Sequence, residues 1–280
     1  WDARGNGRSE GERDDAENFA CYTKDADLFA RHIASTHGIP VENMAAVGHS
    51  VGAGVLAAWV HDYAPRLRAM VLATPAFRIR LYIPLAIPSL RLARRLGILK
   101  RVPSYVKARV LTHDPEEIRR HEQDTLITHS ISTRILLDLY DTSTRLIEDA
   151  GATRVPTLVL VAGSDWVVET QAEENFFQRL GSTEKAIERF PGMYHDLYHE
   201  KDRALPLGKT REFLAAAFAK PEPLPSAIDG DKRGYTKDEF DALSRPLPAG
   251  SPGQIQYAVL GFLMRTLGLW SDGIALGWES

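Results

Sequence analysis

Short apolar runs alternate along this chain with stretches whose apolar residues recur every three or four positions. Met44–Val47, Arg68–Ala73, Thr157–Ala162 and Ala186–Phe190 are apolar runs of strand length. Residues 23–37 carry Ala26, Phe29, Ala30 and Ile33 on one face, the spacing of an amphipathic helix, and Gly38 and Pro40 close it. Residues 53 to 61, 170–180 and 209–219 read as further helices. Strands that alternate with helices predict an α/β fold with a parallel sheet covered on both faces.

Residues 76–150 break the alternation. They read as mostly helical, with Pro84, Pro88 and Pro103 as interruptions, and predict a helical cap inserted into a core made of 1–75 and 151–220. Residues 1–11, WDARGNGRSEG, form a glycine-rich polar loop with a strand end implied just before it. Residues 221–253 are rich in Pro, Gly, Asp and Lys and read as a linker; 254–269 form an apolar helix candidate with nowhere local to bury itself. The 221–280 segment thus reads as a lead into another domain.

Composition narrows the field. The chain has 280 residues, 44% hydrophobic and 25% charged, with a net charge of −3, so nothing global points to nucleic acid. Cys21 is the one cysteine, which excludes an internal disulfide and fits a reducing, cytoplasmic compartment. No run reaches the ~20 apolar residues of a membrane span, and no signal peptide is visible. The first residue is Trp1 and the last residues follow an apolar stretch, so both ends read as cut.

The candidate chemistry lies at the ends of the predicted strands. Gly48-His49-Ser50-Val51-Gly52 reads G-x-S-x-G between a strand and a helix. A serine on so sharp a turn projects its hydroxyl, and small neighbours let the chain bend. Asp165 follows the strand 157–162 and His195 follows the strand 186–190, in the order Ser, Asp, His. A serine hydroxyl needs a base, an imidazole titrates near neutrality, and a carboxylate fixes its tautomer. The Val51 N–H, at the start of the helix, is the expected oxyanion donor. Singly, each signal has a plain structural reading: a tight turn, a helix cap, a surface histidine. Together, in that order, they favour nucleophilic catalysis.

These residues resemble the α/β-hydrolase superfamily, in particular its monoacylglycerol lipase, lysophospholipase and serine aminopeptidase group. Residues 2–11 match that group's D-x-R-G-x-G-x-S-x-G loop, GHSVG matches its elbow, residues 161–168 its acid strand and residues 185–200 its histidine segment. The resemblance covers about residues 1–218 and implies Ser50 as nucleophile, Asp165 as acid and His195 as base. It also implies first strands and a His-Gly oxyanion loop ahead of residue 2. The expectation is a partial α/β-hydrolase fold lacking those strands and the second oxyanion donor, open at the elbow strand's edge, poorly soluble and nearly inactive as residues 1–280 alone. Some hydrolases of this group resemble fusions to a methyltransferase-like domain, and residues 254–280 fit such a junction without any visible methyl-donor site.

From Phe77 to Val110 the chain has nine Lys and Arg residues, abundant Leu and Ile, and no acid. Such a segment suits peripheral contact with anionic lipid, or a solvated cap over the active site. His195 and His199 lack the pattern of a zinc pair, and 229–240 depart from a calcium loop at Arg233 and Phe240. Gly5-Asn6-Gly7 lacks the Lys of a phosphate loop and reads as a tight loop packed near the elbow. His49 has no assigned chemistry, and His61 and His113 have no partner pattern. No cofactor or metal is called for. The reading is a serine hydrolase acting on a small-molecule or lipid carboxylic ester, a monoacylglycerol or lysophospholipid. A peptidase or small-ester esterase of the same fold, or a non-catalytic lipid-binding module, are the alternatives.

Overall fold

The computed structural model describes residues 2–104 and 106–220. Among the described residues, 2–61, 65–104 and 106–220 belong to one compact unit. The expected linker 221–253, the helix candidate 254–269 and the calcium-like stretch 229–240 lie outside the described residues.

The chain runs α1 (Ala20–His37), β1 (Ala45–His49), α2 (Val51–Tyr63) and β2 (Ala69–Ala73). The insert follows: α3 (Ala86–Arg95), β3 (Arg101–Pro103), α4 (Pro115–Gln123), β4 (Ser130–Ser132) and α5 (Thr133–Glu148). The core resumes with β5 (Thr157–Ala162), α6 (Thr170–Arg179), β6 (Lys185–Phe190) and α7 (Ala204–Ala219). All four strands read from the sequence form, as one parallel sheet in the order β1-β2-β5-β6. β2 and β5 lie in the centre and are buried at every position, so they show unbroken apolar runs rather than alternation. β1 extends two residues beyond Val47, because Gly48 and His49 continue the ladder opposite Leu72 and Ala73. It forms one edge of the described sheet, where Val47 is 47% exposed.

Helices cover both faces. On one, Tyr22 of α1, Val55 and Trp59 of α2, Leu139 and Leu146 of α5 and Phe176 of α6 pack with Leu72 and Phe77. On the other, Leu158, Leu160, Phe190 and Leu197 pack with Phe213 and Leu214 of α7. α1 stops where Gly38 takes φ 66°, a left-handed conformation open to glycine.

The insert is less helical than its sequence suggests. β3 and β4 pair antiparallel, with Pro103 opposite Ser130 at one end of this short ladder. Pro88 does not interrupt a helix. It sits in the first turn of α3, where a backbone N–H has no intrahelical partner to lose. Asp114 caps α4 ahead of Pro115, and Ser132 caps α5.

Candidate active site

Ser50 is the single residue between the end of β1 and the start of α2. Its φ of 53° is a left-handed conformation that L-residues with side chains seldom adopt. Backbone contacts hold it there. Its N–H donates to the Ala73 carbonyl at 3.0 Å, and its carbonyl accepts from Gly54 N–H at 3.1 Å and Ala76 N–H at 3.0 Å. A Cβ on Gly48 would meet Ala53 backbone at 2.8 Å, so only glycine fits before the elbow. A Cβ on Gly52 would meet nothing within 4 Å. The need for small neighbours, expected on both sides of Ser50, is therefore steric on one side.

The three candidate side chains converge from distant parts of the chain. Ser50 Oγ lies 2.8 Å from His195 Nε2, and His195 Nδ1 lies 2.8 Å from Asp165 Oδ2. Asp165 and His195 are both buried. The other carboxylate oxygen of Asp165 accepts from Val167 N–H at 2.7 Å and Val168 N–H at 2.9 Å. With Asp165 ionised, Nδ1 carries the proton and Nε2 is free to accept from the serine hydroxyl. Val51, at the first position of α2, has an amide without an intrahelical acceptor. The helix N-terminus thus favours negative charge beside Ser50.

Further groups to which the sequence assigned no chemistry surround His195. Its carbonyl accepts from Thr74 Oγ1–H at 2.9 Å, and His49 Nε2 lies 3.2 Å from the same oxygen. Loss of hydration first, and the neighbouring His195 second, lower the His49 pKa to about 4. His49 is then neutral near pH 7 and donates Nε2–H to that carbonyl. His113, expected without a partner, packs its Nδ1 2.7 Å from Glu200 Oε1, and His61 Nε2 lies 3.0 Å from Asp149. His199 Nδ1 lies 3.0 Å from Asp196, and among the described residues no three metal-binding side chains gather. Glu173 of α6 is fully buried, and neither carboxyl oxygen has a hydrogen-bond partner among the described residues. Burial, then the charge of Asp165, push its pKa well above the carboxylate range, against the pull of Arg189.

A cavity of about 440 Å³ opens beside the elbow. His49, Val51 and Gly52 form part of its wall, with Val55, Leu56, Ile79, Ile131 and Leu139 supplying apolar surface. Ala3 and Asn6 reach the same cavity, so the glycine-rich loop borders the elbow. That loop is fixed by Arg4, which binds Asp25 through two 2.6 Å hydrogen bonds, and by Gly5, whose φ is 71°.

In the basic segment, several cations are engaged within the protein. Arg78 donates to Thr144 Oγ1 at 2.7 Å, Arg80 to the Val168 carbonyl at 2.9 Å and Arg101 to Ser130 Oγ at 2.9 Å. Arg91 pairs with Asp141 and Arg94 with Asp138. Arg95 and Lys100 have no ion pair among the described residues, and Ile83, Leu85, Leu96 and Ile98 are each more than 60% exposed. No described helix is long and apolar enough to cross a membrane.

The family described as serine aminopeptidase, S33, matches residues 1–202, and a methyltransferase family matches residues 210–280. The chain is 41% identical over 278 residues to uncharacterized protein YnbC of Escherichia coli K12. That match takes in 99% of this chain, which spans 47% of YnbC, about half of its length. It is 24% identical over 218 residues to a monoacylglycerol lipase of Mycolicibacterium smegmatis, covering 77% of this chain and 76% of that one. Among solved structures, the monoacylglycerol lipase of Paleococcus ferrophilus superposes with a TM-score of 0.68 at 19% identity, covering 78% of this chain and 81% of that one. The chain belongs to the serine aminopeptidase S33 family of the α/β-hydrolase superfamily.

Proposed function

We propose that this chain is a serine hydrolase that cleaves a carboxylic ester of a lipid, a monoacylglycerol or a lysophospholipid, with Ser50 as nucleophile, His195 as base and Asp165 as orienting acid. The observation that carries the reading is the unbroken run of two 2.8 Å contacts from Ser50 Oγ through the His195 ring to Asp165. His195 Nε2 takes the serine proton as Oγ attacks the ester carbonyl carbon. The carbonyl oxygen becomes an oxyanion next to the Val51 N–H. Collapse expels the alcohol, which receives the proton from Nε2, and leaves an acyl group on Ser50. A water then gives its proton to Nε2, attacks the acyl carbon and releases the fatty acid, returning the proton to Ser50. Asp165 keeps its negative charge throughout and stabilises the imidazolium.

The apolar cavity beside the elbow supports a substrate with a hydrocarbon chain, as do the monoacylglycerol lipases among the relatives. The exposed apolar residues 83–98, with Arg95 and Lys100, support peripheral contact with an anionic bilayer that holds such a substrate. The peptidase alternative draws on the family's description as a serine aminopeptidase. A fluorophosphonate probe tests the core of the reading: the full-length protein is expected to be labelled at Ser50, and Ser50→Ala to stay blank. An unlabelled wild type, fully folded, would favour a non-catalytic module. Parallel assays with a long-chain monoacylglycerol, a lysophospholipid and an aminoacyl anilide decide the substrate class. Flotation with anionic and with neutral vesicles tests the bilayer contact, and failure to float with either rejects it.

A further inference from the structure

We propose that Glu200 is a positioning residue that fixes His195 against Ser50 by clamping the histidine loop to residues 111–113 of the insert; the proposal rests on the triad reading above. Glu200 is 2% exposed, and its carboxylate is fully used. Its Oε1 accepts from Tyr194 N–H at 2.8 Å and lies 2.7 Å from His113 Nδ1. Its Oε2 accepts from His113 N–H at 3.1 Å and Lys201 N–H at 3.2 Å. A carboxylate offers about four acceptor positions, and four contacts meet this one. Burial raises its pKa, but the hydrogen bonds from Tyr194, His113 and Lys201 together outweigh burial and hold it below the ordinary value. Glu200 is therefore an anion near pH 7, and His113 Nδ1 carries the proton that faces it.

The clamp has two more strands. Asp196 N–H donates to the Leu111 carbonyl at 2.8 Å, and Thr112 Oγ1 donates to the His199 carbonyl at 2.7 Å. The His113 ring lies against Tyr194 with centroids 3.7 Å apart. His195 therefore sits between two residues whose amides are both fixed: Tyr194 on Glu200, and Asp196 on Leu111. Neither Glu200 nor His113 needs to touch the substrate. Their effect reaches the reaction through the position of the imidazole, where a displacement of about 1 Å costs about a hundredfold in rate. Removing the carboxylate would also leave the Tyr194, His113 and Lys201 N–H groups without this acceptor, which drives the loop to rearrange.

The test uses the full-length protein and the rate constant for fluorophosphonate labelling of Ser50, with Ser50→Ala as the zero. Glu200→Ala is expected to slow labelling at least about tenfold and to lower kcat for an ester with little change in KM. Glu200→Gln keeps an acceptor for Tyr194 and sets an NH2 against the other donors, so it is expected to fall in between. In a His195→Ala background, Glu200→Ala is expected to cause no further loss, because its effect passes through His195. A merely structural role predicts instead that the two losses multiply. If Glu200→Ala does not fold, Glu200→Gln and His113→Ala, read in the same cycle, decide the matter. Labelling within twofold of wild type in these folded variants, or multiplying losses, overturns the proposal. An unlabelled wild type would be a different failure, that of the triad reading itself.

Discussion

A methyl group on Gly48 would stand 2.8 Å from both the backbone nitrogen and the Cα of Ala53. These atoms belong to the first turn of α2, and backbone cannot yield as a flexible side chain can. Gly48→Ala is therefore expected to push the helix off the strand, with a loss of about 2 kcal/mol or more in stability and of Ser50 labelling. Gly52→Ala meets open space and replaces a helical glycine, so it is expected to keep stability or raise it by up to about 1 kcal/mol. Chemical denaturation of both variants checks the contrast. Equal destabilisation by the two would show that the elbow does not depend on the approach of β1 to α2.

Asp165 has one oxygen on His195 and the other on two backbone amides, so its carboxylate cannot rotate freely. Asp165→Asn keeps the shape but offers either an amide N–H to a ring N–H or the wrong tautomer to the serine. Turnover of an ester is expected to fall about ten-thousandfold with KM little changed. The thermal midpoint is expected to stay near that of the wild type. A loss below tenfold in a folded protein would remove Asp165 from the proposed mechanism.

The strands and the elbow were legible because each rests on local signals: apolar runs of strand length, a serine flanked by glycines, an acid and a histidine just past strand ends. The parallel order also follows from the strand–helix alternation. The surroundings of His195 were not legible, because they are made by contacts between residues far apart in the chain. His113 meets Glu200 across 87 positions, and Thr74 meets the His195 carbonyl across 121. Neither pairing leaves a spacing to read. The β3–β4 pair was hidden for another reason: three-residue strands are too short to show alternation, and Pro103 read only as a break in a helical stretch. The internal partners of the basic segment were not legible either. Arg78, Arg80 and Arg101 look available in the sequence, yet each is tied to a carbonyl or hydroxyl of the protein.

Glu173 gives a dependence of stability on pH with a definite sign. Its folded pKa is raised well above 4.5, first by burial and then by Asp165. Between 4.5 and the raised value, the folded protein holds a proton that the unfolded chain has released. Its contribution is fully present below the unfolded value and is lost as pH rises, by about 1.4 kcal/mol per pH unit across that window. Glu173→Gln removes the titration. The thermal midpoint of this variant, relative to wild type, is expected to be higher at pH 8 than at pH 5. A difference that is the same at both pH values would mean that Glu173 does not titrate there.

The cavity walled by His49, Val51 and Gly52 of the elbow makes the acyl-chain reading testable by filling it. Ile131 of β4 lies on its wall and is partly buried, so a larger side chain there is directed at the space rather than at the main core. Ile131→Trp is expected to lower kcat/KM for a long-chain monoacylglycerol at least about tenfold, because burying several methylenes is worth about 0.8 kcal/mol each. A butyrate ester needs little of the cavity, and its kcat/KM is expected to stay within about threefold, as the polar groups around Ser50 do not include residue 131. The ratio of the two constants is the measurement, since it cancels any general loss of folded enzyme. An equal fall for both esters would assign the cavity no part in holding the acyl chain, and would send the search for the lipid site to the exposed face of α3.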